Sequence, residues 1–374
     1  MFFQRYKVFK ATFKSLTFFI IFGRFHSLLF MKNFSEILFL LILLVSCKKD
    51  YEIERSFYYW QNNSGYNIDF EKVEELGTKK IYFKFFEVDY SETMGNFPFS
   101  KNKPYFWREK AEDSLTIVPV VFIKNEIFHY NNEKDLDKLA DNIVYLIEKY
   151  HKEAVTDRTE LVFDEIQIDC DWTKSTKEKY FYLLKKIKTR SNKTISCTLR
   201  LYPYAYPDIM GIPPVDKATL MCYNLIKPLT EKNKNSILDV DELEKYLKNK
   251  KKYPLHTDIA LPIFNWTQLY KNNRFAGLID IDEKSIASFA RQTEPMWYEI
   301  NKDTVINYDS YFRKGDQVKC ETITIDELNK SVDLLKKYLN IEGKTTVTLF
   351  DLDSKTFKIR TNAELEALYN RFLQ

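Results

Sequence analysis

The stretch Glu160–Thr173, ELVFDEIQIDCDWT, decides the fold prediction because polar and apolar side chains alternate along it. A β-strand turns successive side chains to opposite faces. One face therefore carries Glu165, Gln167, Asp169 and Asp171. In a closed parallel barrel, such a face points into the barrel and its last residues reach the active-site mouth. We predict Asp169 and Asp171 there. The alternative is a solvated strand end whose Asp pair makes turn hydrogen bonds.

Seven further segments have strand character and alternate with helical patterns. They are residues 57–60, 81–89, 115–123, 194–201, 219–224, 255–262 and 345–350. Such alternation favours a parallel sheet, and eight units in residues 55–374 suit one barrel better than an open doubly wound sheet. No glycine-rich phosphate loop follows any strand, which disfavours nucleotide binding. The sequence therefore predicts an α/β protein with a single (β/α)8 TIM barrel and one domain.

Composition indicates a globular protein without a nucleic-acid partner. The 374 residues are 45% hydrophobic, with only 8 Gly and 11 Pro. The chain totals are 57 basic and 53 acidic residues, and residues 1–47 hold six of the basic and one of the acidic groups. The remaining residues thus carry 51 basic and 52 acidic groups. Binding to a phosphate backbone needs clustered excess Lys and Arg, which this balance does not supply.

The N-terminus resembles a bacterial lipoprotein signal peptide. Met31-Lys32 opens a short charged region, residues 37–45 are apolar, and Leu44-Val45-Ser46-Cys47 closes the segment. An apolar run this short is typical of a signal rather than of a membrane span, although a buried or transmembrane helix is the alternative. Residues 1–30 would make the signal too long, so translation is expected to start at Met31. The resemblance implies a signal peptide over 31–46, lipidated Cys47 and a polar leash over 47–54.

This organisation implies a protein anchored by lipid to a membrane of the bacterial cell envelope, with the outer membrane expected and the side it faces left open. The other cysteines, Cys170, Cys197, Cys222 and Cys320, have no metal-ligand spacing and are predicted to be buried small hydrophobes, although a disulfide stays possible in an exported protein. His129, His151 and His256 lie far apart in the sequence. We expect no metal, no cofactor and a monomer.

Two motifs resemble those of family 18 glycoside hydrolases, the chitinase-like barrels. Asp169-Cys170-Asp171-Trp172 matches part of the family's D-G-x-D-x-D-W-E on the fourth strand, and Met221-Cys222-Tyr223-Asn224 resembles its M-x-Y-D on the sixth. The chain also looks like uncharacterised envelope lipoproteins with a glycosidase-like barrel. The resemblance implies a carbohydrate ligand. Three departures from the family pattern stand at Ile166, Thr173 and Asn224, and Thr173 replaces the family's proton-donating Glu.

The candidate catalytic residues are Asp171 and Asp169. We predict Asp171 as the general acid or as the group that orients the reacting atoms, with Asp169 as its ionised neighbour. Arg200 on the fifth strand is expected to pair with Asp169 or with an acidic sugar, although a surface Arg fits as well. Asp258 is the expected second carboxylate, with a buried structural Asp as the alternative.

Further candidate residues lie at strand ends or deeper in the barrel. Flat rings stack on sugars, so Trp172 and Tyr223 are predicted to bind substrate, together with Asn224. Gln167 and Glu165 are expected deeper in the barrel, in a binding or structural role. Glu87 and Asp89 end the second strand, but the apolar pattern on both faces there does not tell whether they point inward.

Three functions fit these residues. The first is a glycosidase that acts on an envelope or dietary glycan with carboxylates. The second is a glycan-binding lipoprotein that has lost catalysis, since Thr173 stands in place of the acid. The third is a structural envelope protein without a ligand.

Overall fold

The computed structural model describes residues 51–62, 68–104, 115–154, 163–226, 231–248, 250–306, 310–353 and 355–374. The predicted start at Met31, the signal peptide over 31–46 and the lipidation site Cys47 lie outside these residues. Within the described chain, no helix is both long and apolar enough to cross a membrane.

Eight parallel strands close into a barrel, as the sequence predicts. Their order around the barrel is β1, β16, β8, β7, β6, β5, β4 and β2, and pairing of β1 with β2 closes the ring. The bounds are β1 (Tyr51–Tyr59), β2 (Lys80–Ser91), β4 (Thr116–Ile123), β5 (Glu165–Asp169), β6 (Thr194–Arg200), β7 (Lys217–Met221), β8 (His256–Pro262) and β16 (Gly343–Phe350). Because β1 begins at Tyr51, residues 51–54 of the predicted leash belong to the barrel.

Helices follow most barrel strands and bury apolar stripes against them. The bounds are α1 (Phe70–Glu75), α2 (Ile127–Tyr130), α3 (Glu133–Ala154), α4 (Lys177–Ser191), α5 (Leu201–Ala205), α6 (Pro207–Met210), α7 (Val240–Leu247), α8 (Glu283–Ala287), α9 (Ile325–Tyr338), α10 (Thr356–Ile359) and α11 (Asn362–Arg371). In α4, residues three or four apart share a face. Tyr180, Leu183, Leu184 and Ile187 are accordingly buried.

The long connection between β8 and β16 is a folded sheet, which the sequence does not reveal. It contains β9 (Trp266–Lys271), β10 (Arg274–Ile279), β11 (Ala290–Glu294), β12 (Trp297–Ile300) and β15 (Gln317–Glu321), in the antiparallel order β10, β9, β15, β12, β11. The same connection holds a separate two-stranded ribbon of β13 (Thr304–Ile306) and β14 (Ser310–Phe312). Ile286, Ile300 and Val318 are fully buried in a core of its own. The single predicted unit is therefore a barrel with an inserted sheet.

One more strand, β3 (Gly95–Phe99), forms a hairpin with the end of β2. Val88 of β2 pairs with Ile123, the last residue of β4, so the residues of β2 after Val88 project past the end of β4 and pair with β3. The hairpin therefore stands at the C-terminal rim of the barrel, where the active sites of such barrels lie.

Candidate active site at the barrel mouth

The acidic strand β5 points its polar side chains into the barrel, as predicted from their alternation. Glu165, Gln167 and Asp169 are 8%, 0% and 7% exposed, so each lies in the interior, whereas Asp171 follows the strand and is exposed. Going up the strand, the side chains pass from the closed end of the barrel to its mouth.

Two connected cavities open at this mouth. A cavity of about 200 Å³ lies over the barrel axis, and Asp169, Thr198 and Glu87 are among its lining residues. A larger cleft of about 720 Å³ extends over the ends of β5, β6 and β7. Both cavities share Asp171, Arg200, Tyr223 and Asn224. The volume of the larger cleft is in the range of small-molecule and oligomer sites.

The two aspartates of the mouth differ in environment. Asp169 is buried, and its Oδ1 accepts a hydrogen bond from the Thr198 hydroxyl. Burial, together with the charge of Asp171, raises the pKa of Asp169 to about 7, although Thr198 and Arg200 act in the opposite direction. A carboxyl group with this pKa is partly protonated near neutral pH, as a general acid requires.

Arg200 pairs with Asp171, and the predicted pairing with Asp169 is wrong. The Nη1 atom of Arg200 lies 2.8 Å from Asp171 Oδ1, and its Nη2 atom donates to the Asn224 carbonyl oxygen at 3.2 Å. Both side chains of the ion pair are about half exposed, so the pair contributes little to stability, roughly 0–1 kcal/mol. Its effect is to hold one carboxylate in a fixed direction beside the buried Asp169.

Aromatic rings form much of the wall. Tyr223 stacks on Phe350, with ring centroids 4.9 Å apart, and Trp60 packs edge-on against Phe122 at 6.5 Å. On the outer side of the larger cleft, Tyr202 is 46% exposed. Flat apolar rings beside carboxylates are the surfaces on which sugar rings stack.

Asn224 lines both cavities with a buried oxygen that has no hydrogen-bond donor within the described chain. Its backbone is left-handed, with a φ of 54°, a conformation that Asn adopts more readily than most residues. The Oδ1 atom is thus an unpaired acceptor in a residue of the wall that both cavities share.

Trp172 is mainly a packing residue. It is 4% exposed, stacks on Tyr180 with centroids 5.3 Å apart, and donates from Nε1 to the Met210 carbonyl oxygen at 3.2 Å. Although it borders the larger cleft, most of its ring faces α4. Its neighbour Thr173, which replaces the Glu of the resembling motif, is exposed and bonded to Ser175 and Thr176.

Asp258 does not join the mouth, contrary to the prediction. It is the third residue of β8, near the closed end, where its Oδ2 accepts from Lys217 at 2.9 Å and its Oδ1 from the Thr346 amide at 2.7 Å. Burial alone would raise the pKa of Asp258, but His256, Lys217 and the Thr346 amide outweigh it and lower the pKa below its usual value. Asp258 is therefore a structural anion.

Glu165 belongs to the same buried network, and Gln167 lies one layer higher. Lys217 Nζ is 2.9 Å from Glu165 Oε2, and Tyr82 and Ser196 donate to Glu165 Oε1. Gln167 accepts from the Tyr58 hydroxyl at 2.6 Å and donates to Thr219 at 3.1 Å. These layers fill the barrel interior, as in other barrels of this type.

The described residues also bear on the predictions about metal ligands and cysteines. Within the described residues, no three His, Cys, Asp or Glu side chains are grouped so that they could hold a metal ion. Cys170, Cys197, Cys222 and Cys320 are buried, as predicted, and free.

The sequence assigned no role to two residues of the mouth. Thr198 shares a face of β6 with Arg200, and that alternation was enough to place it. The direction of Glu87 was left open, because it depends on an irregularity in β2.

Comparison with solved structures supports the fold. The chain is similar to a chitinase from Trichuris suis (14% identity, 86% of this chain and 100% of that chain, TM-score 0.52). It is also similar to a chitinase from Bacteroides thetaiotaomicron (12%, 84% and 96%, TM-score 0.51) and to a Group IV chitinase from Ostrinia furnacalis (11%, 86% and 100%, TM-score 0.50). Neither the models of protein families nor the curated proteins give a match to the sequence. The chain thus shares the TIM-barrel fold of these chitinases, as predicted from the sequence.

Proposed function

We propose that this protein hydrolyses a glycan bound at the barrel mouth, with Asp169 as the proton donor. The observation that carries the proposal is the division of the two aspartates, one buried with its pKa raised to about 7 and the other ion-paired with Arg200. Pairs of carboxyl groups whose environments separate their pKa values are typical of acid and base roles.

The fold likeness alone would not carry this proposal, since one fold hosts many functions. What supports it is the combination of the carboxyl pair with an aromatic cleft. Tyr202, which is 46% exposed, offers a ring surface, and Tyr223 lines both cavities although only 4% of it is exposed. The Asn224 oxygen offers an acceptor for a sugar hydroxyl or amide. Of the two roles predicted for Asp171, this proposal keeps the one that orients the reacting group. It gives the proton-donating role to Asp169, which was predicted to be the ionised neighbour.

A second candidate function is glycan binding without turnover. Thr173 favours it, because its hydroxyl stands where the resembling motif has its acid and cannot protonate a leaving group near neutral pH. In this case the raised pKa of Asp169 would reflect burial only.

A screen of the full chain against a panel of oligosaccharides and aryl glycosides separates the two. We expect released product from at least one substrate, measured by chromatography, and binding of the same sugar by calorimetry. Binding without product would support the second function, and neither binding nor product would contradict both.

We also propose that Cys47 carries the lipid that anchors the protein to the cell envelope. The basis is the signal-like segment of residues 31–46 and the short polar stretch that follows it. A single acyl chain binds a membrane only weakly, so stable anchoring needs more than one acyl chain or a second attachment signal.

Cys47→Ser should therefore move the protein from the membrane fraction to the soluble fraction, measured by immunoblotting after cell fractionation. The matched control is Cys320→Ser, a buried cysteine of the inserted sheet, which should stay with the membrane. Membrane retention of Cys47→Ser would contradict the anchor.

A further inference from the structure

A β-bulge in β2 turns a third carboxylate into the mouth. The register with β4 shifts between Lys84 and Phe86, so Phe85 has no partner there. Phe85 and Phe86 consequently both face outward and contact the ring of Tyr150 on α3, at 6.2 and 6.1 Å between centroids. Bulges of this kind redirect the side chains that follow them and are frequent beside active sites.

Because of the extra residue, the inward-facing side chains of β2 are Lys84 and Glu87, three positions apart. Strict alternation after Lys84 would have placed Phe86 inside and Glu87 on the helix side. The backbone N–H of Asn102 donates to the carbonyl oxygen of Phe85 at 2.7 Å, so this carbonyl group has a hydrogen-bond partner at the irregularity. This hydrogen bond stabilises the bulge.

Glu87 lies level with Asp169 across one intervening strand. Glu87 is paired in register with Phe122 on β4, and Phe122 with Asp169 on β5. Neighbouring strands are about 4.8 Å apart, so the two alpha carbons are separated by roughly 9–10 Å. The ring of Phe122 lies between them on the wall of the same cavity.

A buried cation, Lys84, holds the Glu87 carboxyl group in place. Lys84 is 3% exposed in its side chain, and its Nζ lies 2.6 Å from Glu87 Oε1 and 5.4 Å from the centre of the Trp60 ring. The negative charge of Glu87 acts on Asp169 in the direction that keeps Asp169 protonated. The mouth therefore presents two carboxyl groups on either side of Phe122, one bound to Lys84 and one whose protonated form is favoured.

We propose that Glu87 is the general base of this site, so that Glu87 and Asp169 form a two-carboxylate pair that inverts the anomeric configuration. The inference rests on the proposed hydrolase function. Inverting pairs stand about 6.5–9.5 Å apart and leave room for a water molecule, whereas retaining pairs stand at about 5–5.5 Å. Those distances join carboxyl groups. The alpha carbons of Glu87 and Asp169 are two strands apart and the ring of Phe122 lies between the side chains, which favours the wider, inverting arrangement.

The proposed step balances without any further reactant. Asp169 gives its proton to the glycosidic oxygen as the bond from that oxygen to the anomeric carbon breaks. A water oxygen bonds to the anomeric carbon from the opposite side, and Glu87 takes the proton that the water loses. Glu87 then holds a proton and Asp169 is ionised, and exchange with solvent restores both.

The test uses the full chain and a substrate that the wild type hydrolyses. We expect proton NMR of the first product to show inverted configuration. Glu87→Gln should lower kcat at least about a hundredfold, as loss of a general base typically does. The matched control Glu92→Gln changes an exposed residue of the same hairpin and should keep wild-type activity.

A purely structural role is tested by chemical rescue. With Glu87→Ala and an aryl glycoside, azide should restore turnover and give a glycosyl azide of inverted configuration, a product that no packing defect creates. If single variants unfold because Lys84 loses its partner, Lys84→Met/Glu87→Gln removes the pair together and is measured instead.

The outcomes separate this inference from the proposed function. A retained product, or near wild-type turnover in both Glu87→Gln and the double variant, overturns the role of Glu87 and leaves hydrolysis standing. A wild type that hydrolyses no substrate overturns both proposals.

Discussion

Asp169→Asn should lower kcat/KM on sugar leaving groups by roughly a hundredfold to ten-thousandfold, the usual contribution of a general acid. The amide still accepts the Thr198 hydrogen bond but has no proton to give. Aryl glycosides with good leaving groups need less protonation, so their turnover should fall less. Steady-state kinetics on both substrate types measure the difference.

The companion variants distinguish the roles of the two aspartates. Asp171→Asn weakens the contact with Arg200, so we expect a similar loss on good and poor leaving groups. Asp208→Asn, an exposed carboxylate outside the strand, serves as the control. If Asp171 rather than Asp169 shows the dependence on the leaving group, Asp171 is the general acid, the first of the two roles that the sequence predicts for it.

Lys217→Met should destabilise the barrel by about 3–5 kcal/mol, the typical cost of removing one partner from a buried ion pair. Lys217 contacts both Glu165 and Asp258 at 2.9 Å, and Asp258 is only 1% exposed. The substitution leaves these carboxylates with Lys80 and His256 as their remaining charged neighbours. Unfolding in denaturant at pH 7 measures the change.

The destabilisation by Lys217→Met should depend on pH because it comes from the negative charge that Asp258 keeps without its partner. Without Lys217, the folded-state pKa of Asp258 rises toward or above its unfolded value, so protonation at low pH relieves the penalty. The destabilisation should be largest at pH 7 and smaller near pH 4. Lys252→Met, which breaks an exposed pair with Glu342, should cost no more than about 1 kcal/mol. Equal costs for both variants would contradict the structural role of the buried network.

The sequence predicted the barrel because each strand carries its own signal. The alternation in β5 identified the inward face, and the fold followed from eight such strands between helices. It could not predict the inserted sheet, since strands such as β10 are short and largely exposed and pair only with their neighbours in space.

The sequence predicted the position of some residues of the candidate site and not of others. Alternation shows which face a side chain occupies, and this placed Asp169 and Arg200 correctly inside or at the rim. It misplaced Asp258, although that residue stands in the first half of its predicted strand and therefore near the closed end. Glu87 was undecided because a bulge breaks the period of two, and the irregularity has no mark in the sequence.

The central claim is that Asp169, at the barrel mouth, is a carboxyl group that is still partly protonated near neutral pH, and its titration tests this most directly. Carbon-13 NMR of aspartate-labelled protein, with the signal assigned by its absence in Asp169→Asn, should give a pKa of about 7. Asp351, whose burial raises its pKa to about 6, should titrate unchanged in both proteins. A pKa for Asp169 near the ordinary value of about 3.9 would contradict the account, since the group could not then donate a proton near neutral pH.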